Sequence, residues 1–198
     1  MAAKVYTFHV TYEGLETKIW RDIEVSSKYP LNELGYCILA TFDTLAYHAF
    51  SFTFCGKNFY IPSEWDDQPS DRQDMAAVRL EDLHLQTDDV LEMDYDFGTT
   101  QTFHIRLVRE FPMRKGTGKH YPYIIAGEGR GILDDVPVEE LQELILQIDR
   151  HGKTDEEIYY NENISPWNYR DYSLDTDNCL LKVQIQLIAE GYAPFWEG

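Results

Sequence analysis

Hydrophobic positions fall into two rhythms along the chain. Residues 5 to 12 alternate with period two, which puts Tyr6, Phe8, Val10 and Tyr12 on one face of a half-buried strand. After a turn at residues 13 to 16, residues 18 to 25 read as the return strand, with Ile19, Ile23 and Val25 facing the core. The same phase turns Arg21 inward and Trp20 outward, so either a bulge lies here or Arg21 is partly buried against a carboxylate. From residue 30 to 45 the rhythm is helical: Pro30 suits a first turn, and Leu31, Leu34, Ile38, Phe42 and Leu45 form one stripe. Period two returns at residues 48 to 54 with His48, Phe50, Phe52 and Phe54 in phase. Residues 59 to 61 then pair back after a turn at 56 to 58.

Residues 62 to 76 are polar and aperiodic, as an exposed loop is, and Leu80, Leu83 and Leu85 suggest a short helical turn. Residues 90 to 97 and 102 to 108 alternate cleanly and predict a hairpin, with Leu91, Met93, Tyr95 and Phe97 facing Phe103, Ile105 and Leu107. Residues 111 to 131 form a Pro- and Gly-rich segment. A helix follows at 137 to 150, with Asp134 or Asp135 as its cap and Gly152 just past its end. Residues 177 to 190 alternate like a strand, yet their length and Gly191 favour a helix that stops there. The order predicts an α+β fold: a β-grasp-like mixed sheet with one helix across it, plus two C-terminal helices. The expected organisation is a single domain over 1–198, with a core at 1–110 and a helical extension at 111–198.

Charge is the outlier in the composition. Among 198 residues, 35 acids face 17 bases for a net charge of −18. Residues 64 to 96 carry twelve acids and two bases, whereas residues 106 to 119 carry five bases and one acid. This balance opposes direct nucleic-acid binding, which needs clustered cations to displace counterions. It leaves a solubilising surface, a cation-binding face, a mimic of nucleic acid or a docking surface for a basic protein partner. No stretch approaches the ~18 apolar residues of a membrane span, and the first residues lack an apolar leader. Three distant cysteines, Cys37, Cys55 and Cys179, make neither a disulfide framework nor a metal knuckle. The expectation is a cytoplasmic monomer or homodimer.

Several blocks occur together: KIWRDIEV, PLNELGYCIL with His48-Ala49-Phe50, YDFGTTQTFHIRL, and YPYIIAGEGRGILDDVP. Over about residues 5 to 150 they resemble the plasmid pRiA4b ORF-3-like family, some of whose members are labelled passenger proteins of insertion elements. The resemblance implies an α+β fold with a sheet and carries no established activity. A role in mobile-element DNA transactions is the weakest reading, because the charge opposes it. Two departures stand out. Ile124 occupies a position that is cysteine in many members, which removes a soft metal ligand. Ile132, Leu133, Asp134 and Asp135 replace a Pro-Pro-Glu-Asp run, although Gly127 and the acidic pair remain.

Candidate chemistry sits in these blocks. Pairing Phe97 with Phe103 would set Asp96 opposite His104 and Asp94 opposite Arg106, and a carboxylate beside His104 would favour its imidazolium. His48, Asp96 and His104 are the candidate catalytic groups. If they converge they could hold zinc, although no metal or cofactor is assigned. Trp20, Arg21, Tyr95, Phe97, Gly127, Asp134 and Asp135 are the candidate binding residues. Other motifs are set aside. Asp96-Phe97-Gly98 lacks every other kinase element, and the glycines at 127, 129 and 131 lack a phosphate-loop lysine. No nucleophile elbow exists, and the aromatics Tyr159, Tyr160, Trp167, Tyr169 and Tyr172 are expected to lay a segment over the core. The leading expectation is a non-enzymatic binding module, with a metal-dependent or acid–base enzyme as the alternative.

Overall fold

A computed structural model describes residues 2–61, 72–158 and 166–196. The order is β1 (Lys4–Tyr12), β2 (Trp20–Ser26), α1 (Leu31–Thr41), β3 (Phe50–Phe54), β4 (Lys57–Tyr60) and β5 (Arg72–Asp74). β6 (Val90–Tyr95), β7 (Gln101–Pro112), β8 (Tyr123–Glu128), α2 (Val138–His151) and α3 (Leu174–Trp196) follow. The strands form one mixed sheet in the order β5-β4-β3-β6-β7-β1-β2-β8, in which only the β4–β5 pair is parallel. The fold is therefore α+β as the sequence predicts, with a larger sheet.

Two strands escaped the sequence pattern. β5 falls inside the expected 62–76 loop and is too short to alternate; residues 62–71 of that loop lie outside the described residues. β8 lies in the Pro- and Gly-rich segment and pairs with β2, so part of the expected extension completes the sheet. A short 3₁₀ turn spans Leu80–Leu83, as expected.

The helix at 177 to 190 is real but longer, for α3 runs through Gly191 to Trp196. α2 ends at Gly152 in the left-handed conformation that glycine tolerates. Its start has no side-chain cap; Asp134 and Asp135 are engaged elsewhere. α1 stops at Thr41, so Leu45 leaves the expected apolar stripe and is exposed.

The core lies between one face of the sheet and the helices. Tyr6, Phe8, Val10 and Tyr12 of β1 and Ile23 and Val25 of β2 meet Leu34, Ile38 and Phe42. Leu141, Ile145 and Ile148 of α2 join the same cluster. α1 reaches β3 across Gly35, where an added Cβ would stand 2.3 Å from Phe50 Cε2. Phe50 itself is wedged edge-on against Tyr36 and Tyr192, with centroids 5.9 and 5.3 Å away.

Replacing Gly35 with alanine thus tests the helix–sheet seam. In an exposed helix interior the change would stabilise by up to about 1 kcal/mol. Here overpacking against Phe50 dominates, and denaturant unfolding should show Gly35→Ala less stable than wild type by about 1–3 kcal/mol.

Candidate functional site

The β6–β7 hairpin positions Asp96. Its observed register sets Met93 opposite Phe103, Tyr95 opposite Gln101 and Glu92 opposite His104. That is a shift of four residues from the expected Phe97–Phe103 pairing, and a shift by an even number keeps inward residues inward. The strand ends early because Asp96 adopts φ 57°, a left-handed geometry that aspartate accommodates better than most residues. Its Oδ1 accepts the Gly98 N–H at 3.0 Å, and its own N–H donates to the Ala49 carbonyl at 3.1 Å.

Phe97 is not inward but 60% exposed. Asp96 does not face His104, and Asp94 does not face Arg106; Thr102 Oγ1 donates to Asp94 at 2.8 Å, and Val90 lies opposite Arg106. His104 lies on the other face of the sheet from Phe103 and Ile105, with Nε2 3.8 Å from Glu92.

His48 is delivered by the segment between α1 and β3. It precedes β3 rather than belonging to it and is half-buried. Its Nδ1 lies 3.6 Å from Asp96 Oδ1, and its Nε2 lies 2.9 Å from Asp135 Oδ1. The second contact is within reach but out of line for an N–H···O bond, and Nε2 is buried without a hydrogen-bond partner. One donor atom from each of His48, Asp96 and Asp135 lies within 4.8 Å of the other two. Asp96 is 6% exposed at its side chain, and its Oδ2 is buried with no partner.

A frame of tyrosines and a third aspartate holds this cluster. Tyr95 Oη donates to Asp134 Oδ1 at 2.5 Å, and the Leu45 N–H donates to Asp134 Oδ2 at 2.8 Å. Burial raises the Asp134 carboxyl above its ordinary range, and burial together with Asp134 raises the Tyr95 phenol. Tyr47 Oη donates to Asp135 Oδ2, a bond that lifts the Tyr47 phenol to about 12. Tyr192 of α3, stacked on Tyr36 at 5.4 Å, donates its hydroxyl to the His48 carbonyl. Two of the expected trio therefore meet, His48 and Asp96; Asp135 joins them, and His104 stays away. Sequence reasoning missed Tyr47 and Leu45, whose only signal is their closeness to His48 in the chain.

Arg21, Gly127 and Trp20 belong to a different place. Arg21 keeps the core phase of Ile19 and Ile23 and is fully buried. Its Nε donates to the Thr41 carbonyl at 3.0 Å, and its Nη1 donates to Trp20 and Glu128 carbonyls at 2.8 Å each. The expected carboxylate is Asp177, 3.9 Å away, and the Tyr172 ring covers the guanidinium at 4.0 Å. Gly127 leaves room for this stack, since an added Cβ would lie 2.6 Å from Tyr172 Oη. Asp43, Arg130, Asp171 and Asp177 line the same cleft of about 430 Å³. Burial pushes Asp177 up to about 6. Trp20 lies on the outer face with its ring 5.4 Å from His9. The glycine-rich run packs on α1's exit, where the Ile132 N–H donates to the Phe42 carbonyl at 2.9 Å. Trp167 and Tyr169 are buried and Tyr172 half-buried, whereas Tyr159 and Tyr160 lie outside the described residues.

The fold is α+β, with His48, Asp96 and Asp135 drawn together where β3 begins and β6 ends. The description "Plasmid pRiA4b ORF-3-like protein" matches residues 4–179, and the chain belongs to that family. A solved structure from Methanosarcina mazei Go1, described as the protein of unknown function MM3350, is similar. It is 22% identical with a TM-score of 0.65, over 77% of this chain and 85% of that one, and it supports the fold alone. No curated protein matches the chain. No helix among the described residues is long and apolar enough to cross a membrane.

The elevated Asp177 makes a signed prediction. Its folded pKa lies above the unfolded value, so the folded state takes up a proton as pH falls between about 6 and 3.8. The stabilisation this brings is fully present below that window and lost as pH rises through it. Wild type should therefore gain stability relative to Asp177→Asn between pH 7 and pH 4, by about 1–2 kcal/mol after discounting for solvent screening. Parallel denaturation curves at the two pH values measure it, and an unchanged difference would refute it.

Proposed function

We infer that the protein binds a divalent metal ion through His48, Asp96 and Asp135, with a coordination position left open to solvent. The observation that carries this reading is the Asp96 carboxylate. It is nearly fully buried and its Oδ2 has no partner, and the buried Nε2 of the neighbouring His48 makes no hydrogen bond either, standing 2.9 Å from Asp135 Oδ1. An unpaired buried carboxylate oxygen is costly, and a coordinated cation removes the cost.

The donor set supports the same reading. One imidazole and two carboxylates suit zinc, manganese, iron(II) or cobalt(II), and no thiolate invites a softer ion. Ligands about 2.0–2.2 Å from one ion stand at most about 4.4 Å apart, so closure from the observed spread needs only small side-chain movements. Asp134, Tyr95 and Tyr47 would hold the ligand-bearing segments in place, as outer hydrogen-bond partners do in metal sites. Three protein ligands leave room for a water or substrate atom, and an ion there would act as a Lewis acid. Net charge of −18 favours the approach of any cation.

Titration of chelator-treated protein with zinc or cobalt(II), read by calorimetry and native mass spectrometry, tests the assignment. One ion per chain is expected. Asp96→Asn and His48→Ala should each weaken binding at least about tenfold, the scale of losing one directed ligand. His104→Ala should leave it unchanged. Absence of stoichiometric uptake, or uptake indifferent to Asp96→Asn, refutes it.

A further inference from the structure

The cleft of about 430 Å³ beside Arg21 shares no residue with the His48 cluster, and two of its charges are only partly satisfied. Arg21 lines it with 1% of its surface exposed. Its Nε and Nη1 donate to carbonyls, whereas its Nη2 has no acceptor among the described residues. Asp177 stands beside it, with Oδ2 3.9 Å from Nε, beyond hydrogen-bond reach. No described residue donates a hydrogen bond to the Asp177 carboxylate, and burial raises that carboxyl to about 6.

The neighbouring charges do not fill these gaps. Arg130 and Asp43 pair with each other at 3.2 Å, and Asp171 is exposed. A buried guanidinium edge requires an acceptor, and a buried carboxylate requires a donor. Three aspartates against two arginines in the lining weigh against a plain anion as the occupant, and the open Nη2 weighs against a plain cation. One molecule that carries both charges meets both needs. Its charges must also lie close together, because Arg21 and Asp177 do. The rest of the wall includes apolar surface from Ala40 and Leu180, the latter 48% exposed. Apolar surface beside a few convergent polar groups is how small-molecule sites are built, and the volume is of the right size.

We propose that this cleft binds a free α-amino acid with an apolar side chain. The ligand carboxylate accepts from Arg21 Nη2, its ammonium donates to Asp177, and its side chain lies against Leu180 and Ala40. An α-amino acid carries its two charges on a single carbon, which matches adjacent protein charges; an ω-amino acid holds them apart. The site is independent of the metal assignment above.

Calorimetric titration of the chelator-treated full chain with L-leucine and four relatives tests it. 4-Methylpentanoic acid lacks the ammonium, 3-methylbutylamine lacks the carboxylate, glycine lacks the side chain, and 6-aminohexanoic acid separates the charges. One leucine per chain is expected, and each relative should bind at least about tenfold more weakly, the scale of one charge-assisted hydrogen bond or one buried aliphatic side chain. Asp177→Asn should weaken leucine binding by a similar factor. Leu180→Ser, a change at the surface that leaves the charges in place, should bring leucine down toward glycine. Circular dichroism confirms that both variants keep the fold. Absence of leucine uptake at millimolar concentration, in which case the cleft holds water alone, overturns the proposal. So does binding of the acid or the amine as tight as that of leucine, or leucine binding that neither substitution weakens.

Discussion

A buried guanidinium organises the molecule. Arg21 cannot lose its charge and cannot reach water, so its donors must be met inside the protein. Its Nε and Nη1 donors are met by carbonyls from the last residue of α1, from β2 and from β8. Three elements distant in sequence are thereby fixed to one planar group, which a lysine ammonium could not reproduce. The exit of α1 becomes a fixed point. From it, residues 42 to 47 run beside residues 130 to 135, tied by Ile132 to Phe42, Leu45 to Asp134 and Tyr47 to Asp135. His48 and Asp135 meet because these two segments are laid side by side.

The sequence revealed most of the architecture and only part of the site. Period-two runs at residues 5 to 12, 90 to 95 and 102 to 108 identify strands because one face of each is buried. The 137 to 150 stripe identifies α2 for the corresponding helical reason. The phase of Arg21 points either to a bulge or to a buried charge, and the structure shows the charge buried, with a register shift just after it. What alternation cannot encode is the extent of a hairpin. A slip of four residues preserves every inward position, so the pattern predicts Asp96 and Phe97 in the strand, whereas they form its turn. The cue against it was Asp96-Phe97-Gly98 itself, since aspartate two residues before glycine readily closes a turn of this kind.

Asp134 and Asp135 illustrate the other limit. Acids just ahead of a helix satisfy the local rule for caps, and local rules cannot see residues 45 to 48 arriving from ninety positions away. The tertiary contacts outbid the cap: one aspartate takes a tyrosine hydroxyl and a backbone N–H, the other a tyrosine hydroxyl, with the His48 imidazole close by. Membership in the plasmid pRiA4b ORF-3-like family and the similarity to the archaeal structure agree with the fold. The chemistry has to be read from side chains, since a fold can host unrelated functions.

Tyr192 joins the last helix to this chemistry. It stacks on Tyr36, meets Phe50 edge-on and donates to the carbonyl of His48. The final turns of α3 are therefore part of the wall behind the imidazole. An affinity handle fused to the C-terminus pulls on that wall, and a polyhistidine handle would also bring competing imidazoles to it. Preparations that carry their tag at the N-terminus, where Lys4 begins β1, leave the His48 end of the sheet as the chain builds it.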